Sequence, residues 1–493
     1  MREGQFAEGS SIGYQIVRFL FAIVAIEAIF SIFRLNLELA LGQRTPHLWL
    51  ISAPLSVLIL FVTYRFRSQI AAVFSRFGER ISQIPRGPWL IGLAVIGGAL
   101  RLSWLLAYPA PQRSDFKVYF ELAQRMLQLH QYGSSRMGLA YWPVGYSMFL
   151  YSLFRILGVH SWVPALSNFF LFLCTIFAVE RIATRVVGPY AGRAAACLLL
   201  FWPEFSTCGW LASKELLVAA LLPLSLLLYF YSTDGKSRGS QIAWLVVAGL
   251  VVGFAGLSQP SFVWFPSVFF LSDLLRREKL VWSVTRTACL IASMFIVILP
   301  WTIRNHHVLG EWILVSTNGG DVFYHANNEL ANGGYTETAS EEFDNLNELQ
   351  KSKLGFTMGE NWIRHNPGKF VGLVFRKQVL FLGDDSTGVY ETLKRGLGLG
   401  GLPYAAFKGI SNIYWLVIWI LILAGLSLNW NRPGFLSAEL SVAMLSVLYL
   451  YSIHSVFESN GKYHIPLLGL FAVLAATSGR KPQATSAKSP HFV

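Results

Sequence analysis

The sequence predicts an all-α polytopic membrane protein of about twelve transmembrane helices, with external interfacial helices and a mixed external loop region. Three observations predict it. Of 493 residues, 54% are hydrophobic and only 14% are charged. The mean hydropathy is +0.48. The apolar residues fall in blocks of about twenty, the length that crosses a bilayer as helix. This composition excludes repeat solenoids, disordered scaffolds and disulfide-built secreted domains. A net charge of +13 would suggest nucleic acid in a soluble chain, but cationic loops are the expected bias of a polytopic one. Cys174, Cys197, Cys208 and Cys289 lie in or beside apolar segments without close-pair spacing, so neither a disulfide nor a metal site is expected from them.

Apolar runs place the first six spans near residues 13–33, 47–64, 89–107, 161–183, 190–206 and 213–231. Six more fall near 241–257, 261–275, 283–302, 409–428, 437–454 and 463–477. The first run contains Glu27, leads to Arg34 and lacks a small-residue cleavage site, so it reads as a helix rather than a signal peptide. Lys and Arg accumulate on the cytoplasmic side of short loops. The stretch 65–88, with Arg65, Arg67, Arg76, Arg80 and Arg86 against Glu79, is therefore placed inside. Alternation then puts Arg181, Arg185 and Arg193, Lys236 and Arg238, Arg276 to Arg286, and Arg480, Lys481 and Lys488 on the same side. Both termini are expected in the cytoplasm. Spanning by Tyr141–Gly158 would reverse that order, so this segment is read as an interfacial or re-entrant helix.

The chain divides accordingly. Residues 1–88 hold two extra helices and the basic loop, and 89–302 the transmembrane core with a first external loop at 108–160. Residues 303–408 form a large external loop, 409–477 the last spans, and 478–493 a basic, Pro/Ser/Ala tail expected to be disordered. Within the large loop a helical pattern from about Ser340 to Phe381 is interrupted by Pro367, which predicts two interfacial helices. Gly388, Gly396, Gly398, Gly400 and Gly401 predict a flexible return to the membrane. No internal repeat supports an inverted-repeat transporter.

The polar residues near the external face are few, which narrows the search for chemistry. Asp115 opens a short amphipathic pattern in which Tyr119, Ala123 and Met126 share its face. A solvated helix-cap carboxylate is the alternative reading. Lys214 and Glu215 open an apolar run, where each charge would cost roughly 2.5 to 3.5 kcal/mol at mid-membrane and less near an end. They read either as a self-compensated interfacial pair or as a cation for an anionic ligand beside a carboxylate in the same cavity. Arg304, Lys377, Lys462 and His464 are further cations and imidazoles at helix ends. Together they would suit a phosphate or pyrophosphate headgroup, because a low-dielectric interface strengthens charge-assisted hydrogen bonds. Arg101, about two turns from its helix end, can snorkel outward and is given a structural reading. Walker, His-Glu-x-x-His and Gly-x-Ser-x-Gly motifs are absent from the sequence.

Several stretches resemble the polytopic GT-C glycosyltransferases, in particular bacterial protein mannosyltransferases and aminoarabinose transferases of the family 39-like group. They are Asp115 in the first loop, YWPVGYSMFLYSLFRILG, WPEFSTCGWLASKELL with Glu215, PWTIRNHHVLGEWILVSTNGG, HANNELANGGY, WIRHNPGKFVGLVFRK and ESNGKYHIPLLGLFAVLAA. The resemblance covers about Ile91 to Ala476. Ser114 stands where many members carry a second acid, and Lys462 stands where the final motif usually has Arg, so bidentate phosphate binding is not available there.

The resemblance implies transfer of a sugar from a polyprenyl-phosphate carrier to an acceptor on the external face, with no nucleotide sugar. Implied roles are Asp115 as general base, with Glu215 orienting Lys214 or a sugar hydroxyl. Lys214, Arg304, Lys377, Lys462 and His464 would face the donor phosphate. Tyr119, Tyr146, Asn318, Asn327, Asn328 and Tyr463 would border the sugar or acceptor pocket. No metal ligand is assigned, and one acid with scattered histidines neither requires nor forbids a divalent ion. The partners expected are the bilayer, the lipid-linked donor and a glycan, lipid or protein acceptor, in a bacterial inner membrane with a periplasmic site. A transporter or flippase of the lipid-linked sugar, or a polysaccharide polymerase or ligase, are the alternatives.

Overall fold

A computed structural model describes residues 12–42, 46–235, 237–336, 341–343, 345–431 and 438–479. Among them there is no strand, only an isolated bridge between Ser134 and Gly138, and the chain is an all-α polytopic membrane protein. In order, the helices are α1 (Ile12–Leu41), α2 (Trp49–Ser82), α3 (Arg86–Ala107), α4 (Ser114–Leu129), α5 (Val144–Leu157), α6 (Val163–Val186) and α7 (Pro189–Leu200). Next come α8 (Pro203–Thr207), α9 (Lys214–Asp234), α10 (Arg238–Ser258), α11 (Pro266–Leu275), α12 (Leu280–Leu309) and α13 (Gly319–Ala326). The last are α14 (Glu348–His365), α15 (Pro367–Leu382), α16 (Thr387–Val389), α17 (Gly401–Asn429), α18 (Ala438–Val456) and α19 (Leu468–Ala476).

Nine of the twelve expected spans are single helices long and apolar enough to cross a membrane, counted among the described residues. The other three are helical but broken. The run 190–206 divides at Pro203 into α7 and α8, 261–275 divides at Pro266 into a 3-10 turn and α11, and 463–477 divides near Pro466 into the 3-10 turn Gly461–Leu467 and α19. Proline lacks the N–H that would continue each ladder. Residues 1–11, 43–45, 236, 337–340, 344, 432–437 and 480–493 lie outside the described residues. The expected cations Lys236, Arg480, Lys481 and Lys488 and most of the expected tail are among them.

Where helices cross closely, small residues make room. Added Cβ atoms at Gly249 and Gly253 of α10 would lie 2.5 Å from the Leu290 carbonyl oxygen and 2.7 Å from that of Met294 on α12. Such a small-xxx-small face lets backbones approach in lipid, where dispersion contacts replace the hydrophobic drive. Ion pairs then mark one end of the bundle. Arg185 binds Asp234 and Glu439, and Arg276 lies 3.5 Å from Glu439, joining the ends of α6, α9 and α11 to the start of α18.

The polar segments at the opposite end carry short helices. Helix α5 has 14 residues, about 21 Å of rise, too short to cross a hydrocarbon core of about 30 Å. Pro367 separates α14 from α15 and occupies the first turn of α15, where its missing N–H costs nothing. At the start of the expected glycine hinge Gly388 is buried, and its N–H donates to Glu204 Oε1 at 2.8 Å. Helix α1 packs on α2, α15, α17 and α18. Its Asn36 Nδ2 donates to the Gly383 carbonyl at 3.1 Å, and its Glu38 takes Arg376 at 2.7 Å.

Candidate functional site

Three segments distant in sequence bring a carboxylate and two ammoniums together. Asp115 sits in the first turn of α4, directly after Ser114, whose φ of +49° bends the chain into the helix. Ser114 Oγ donates to Asp115 Oδ1 at 3.3 Å. Lys462 lies in the turn Gly461–Leu467, and its Nζ donates to Asp115 Oδ2 at 2.8 Å. That turn rests so closely on the Asp384 carbonyl that a Cβ at Gly461 would collide with it. Lys214 opens α9 behind the N-cap Ser213. Its Nζ stands 5.6 Å over the Tyr119 ring, with no ion pair or hydrogen bond among the described residues.

Electrostatics follow from this grouping. Burial pushes the Asp115 carboxyl up, but the charge and hydrogen bond of Lys462, aided by Lys214, outweigh it and hold the pKa down to about 2. Burial disfavours the Lys462 ammonium, yet Tyr463, Asp115 and Glu215 keep its pKa above the usual lysine value. Glu215 accepts from Ser213 Oγ at 2.9 Å and is 3% exposed. Burial and the Glu215 charge raise the phenols of Tyr119 and Tyr146, so both stay protonated donors. The two rings meet edge to face at 5.9 Å, and Trp142 closes on Tyr119 at 5.6 Å. Both hydroxyls are buried without a partner among the described residues.

The other residues singled out from sequence are placed in protein-to-protein contacts. Arg304 donates to the Leu139 carbonyl at 2.7 Å and the Tyr132 carbonyl at 2.9 Å and lies over Trp301, so it pins the first external loop. Lys377 is fully buried and donates to Asn327 Oδ1 at 2.8 Å and the Val456 carbonyl at 2.7 Å. Burial lowers its pKa to about 7. His464 is also fully buried, with Nδ1 facing the Phe381 carbonyl at 2.5 Å and Nε2 facing Asp385 Oδ1 at 2.9 Å. Asn318 accepts from Ser316 Oγ at 2.8 Å, and Asn327 donates to the Phe323 and Val456 carbonyls. Asn328 donates to Tyr324 O and accepts from the Leu330 N–H. Tyr463 donates to Glu458. Arg101 does not snorkel: it is 4% exposed, donates to the Gly97 carbonyl and lies 3.2 Å from the Phe172 ring centroid.

Several polar groups near this end were not singled out from sequence. Asp385 accepts from Trp202 Nε1 at 2.6 Å as well as facing His464, and Lys408 binds Asp384 at 2.7 Å. Tyr141 donates to Asp321, which also lies 3.3 Å from His325 Nε2. Glu458 sits four residues before Lys462. No group of three or more His, Cys, Asp or Glu side chains among the described residues could hold a metal ion. A separate open groove of about 600 Å³ lies between α1, α15 and the 328–332 loop, edged by Arg34, Glu38 and Arg376.

Fold and site thus define a polytopic helical membrane protein with a charged polar centre at one end of its spans. No protein-family model and no curated protein matches the sequence. Among solved structures, the chain is similar to the apo oligosaccharyltransferase of Archaeoglobus fulgidus at 13% identity, covering 78% of this chain and 49% of that one, with a TM-score of 0.48. It is similar to ArnT from Cupriavidus metallidurans, solved with undecaprenyl phosphate, at 14% identity over 79% of this chain and 78% of that one, with a TM-score of 0.43. The chain spans about half the length of the oligosaccharyltransferase it matches.

Proposed function

We propose that this protein transfers a sugar from a polyprenyl-phosphate carrier to an acceptor hydroxyl at the external face of a bacterial inner membrane, with both termini in the cytoplasm. The carrying observation is the ionised Asp115 beside two lysines, one of them unpaired among the described residues, at the end of the bundle opposite the ion-paired arginines. The acceptor oxygen attacks the anomeric carbon, its proton passes to the Asp115 carboxylate, and the bond from that carbon to the phosphate oxygen breaks with its electron pair. Attack opposite the phosphate inverts the anomeric configuration. The departing dianion needs charge rather than a proton, and Lys214, which has no ion pair among the described residues, supplies it.

A carboxylate with a pKa near 2 is a weak base while Lys462 is bound to it. Arrival of the donor phosphate supplies Lys462 with a second anionic partner that draws it from Asp115. Asp115, still half-buried, then loses the charge that held its proton affinity down, so the base is armed only when donor is present. An acceptor among lipid A or other lipopolysaccharide, glycans or proteins fits this chemistry equally.

The test is to incubate purified protein with labelled undecaprenyl-phosphate sugars and membrane acceptors, and to follow label leaving the carrier. Transfer to an acceptor with an inverted linkage is expected. Binding of the carrier without transfer, from every sugar tried, would overturn the enzyme reading in favour of a transporter.

A further inference from the structure

The connector between α18 and the Lys462 turn holds a carboxylate that no role above uses. Glu458 is 8% exposed. One of its oxygens, Oε1, accepts from the Tyr463 hydroxyl, while Oε2 is buried with no partner among the described residues. An unfilled acceptor on a buried carboxylate is costly, more so than on a neutral group. The side chain cannot easily swing out to water to fill it. The Ser459 N–H donates to the Gly333 carbonyl at 2.9 Å, and His454 Nδ1 meets the Glu458 carbonyl at 2.9 Å. The Tyr463 ring stacks on His454 with centroids 4.3 Å apart. Ser459 Oγ and His454 Nε2, in the same bend, also lack partners among the described residues.

Glu458 precedes Lys462 by four residues and accepts from Tyr463, the next residue along, and its charge also bears on Tyr141 and His325. We infer that Glu458 is a sugar-binding residue, whose free Oε2 accepts a hydroxyl of the sugar that the carrier phosphate delivers to Lys462 and Lys214. This rests on the donor class proposed above and names the residue that reads its sugar. A hydroxyl is the fitting donor because Oε1 already accepts the Tyr463 O–H, and a second neutral O–H fills Oε2 in the same way. Sugar and phosphate are joined by one bond, so one donor reaches both anchors.

The experiment compares equilibrium binding of bare undecaprenyl phosphate with undecaprenyl-phosphoryl glucose, mannose and arabinose, on wild-type protein and E458Q in detergent. E458Q keeps an oxygen for Tyr463 and presents an amide N–H₂ where the ligand hydroxyl docks. Wild type should bind at least one sugar-bearing carrier. E458Q should weaken that binding tenfold or more while binding the bare carrier unchanged. Sugar-bearing carriers held equally by E458Q and wild type would overturn the Glu458 assignment and leave the donor class standing. Failure of wild type to bind any sugar-bearing carrier would overturn both. Thermal unfolding of E458Q checks that it folds, and should it fail, E458D, with the carboxylate withdrawn by one methylene, is read by the same comparison.

Discussion

Asp115 has its pKa held near 2 by Lys462 and Lys214 against the opposing effect of burial, which makes its ion pair a pH-dependent contact. Its folded pKa lies below the unfolded value near 4. The pair therefore adds stability above about pH 4 and loses it as the pH falls through about 2. Replacing Lys462 by Met leaves burial dominant, and the acid limb of kcat/KM should move from near pH 2 to above pH 4, read directly in a pH–rate profile. An unmoved limb would separate Lys462 from the base. Lys214→Met should leave the fold intact and weaken carrier binding about tenfold or more, the scale of one charge-assisted hydrogen bond; unchanged binding would remove Lys214 from the phosphate. Lys377 contrasts with both. Burial sets its pKa near 7, so the unfolded chain takes up more protons above that value. Its contribution makes the fold more stable as pH rises from about 7 to 10. Thermal melts should show that slope shrinking in Lys377→Met. Lys214 was legible because a charge opening an apolar run is conspicuous, Asp115 because it opens an amphipathic pattern in the first external loop, and Lys462 because it stands at a helix end. Lys377 and His464 were conspicuous for the same reason, but the polar partners that occupy them, the Asn327 amide oxygen and Asp385, are invisible in a linear string. Glu458 stands in the same ESNGKYHIP stretch as Lys462, yet burial alone distinguishes it from a solvated loop acid.

At the scale of elements, hydrophobic length predicted the single-helix spans well and the broken ones poorly. Pro203, Pro266 and Pro466 lie inside apolar runs whose hydropathy does not register a break. The division of α14 from α15 was readable because Pro367 follows a polar His365-Asn366 pair, a stop signal and a start signal together. The Gly249–Gly253 face was not weighed from sequence, since glycines in an apolar run mean close crossing only once the facing helix is known. Gly249→Leu would push side-chain carbon into the Leu290 carbonyl. It should cost about 1 to 3 kcal/mol, seen as a lowered melting temperature in detergent, whereas an unchanged melt would show that α10 and α12 separate freely. The two N-terminal helices lie outside the motif resemblance, yet α1 fastens the end of α15 through Asn36 and Glu38.

For the whole molecule, the placement of charge predicts how it sits in the bilayer. Arg185, Asp234, Arg276 and Glu439 gather at one end, while Asp115, Lys214 and Lys462 gather at the other. In intact cells, on a background with the four native cysteines replaced, a cysteine at Arg76 should resist an impermeant thiol reagent and one at Lys353 should react; the reverse pattern would invert the proposed topology. The central claim concerns the polar end, and it is tested most directly by single-turnover transfer from a labelled undecaprenyl-phosphate sugar, wild type beside Asp115→Asn, with carrier binding measured on the same samples. Unchanged binding with transfer reduced about a hundredfold or more is the predicted result. Full transfer by the Asp115→Asn protein would contradict it.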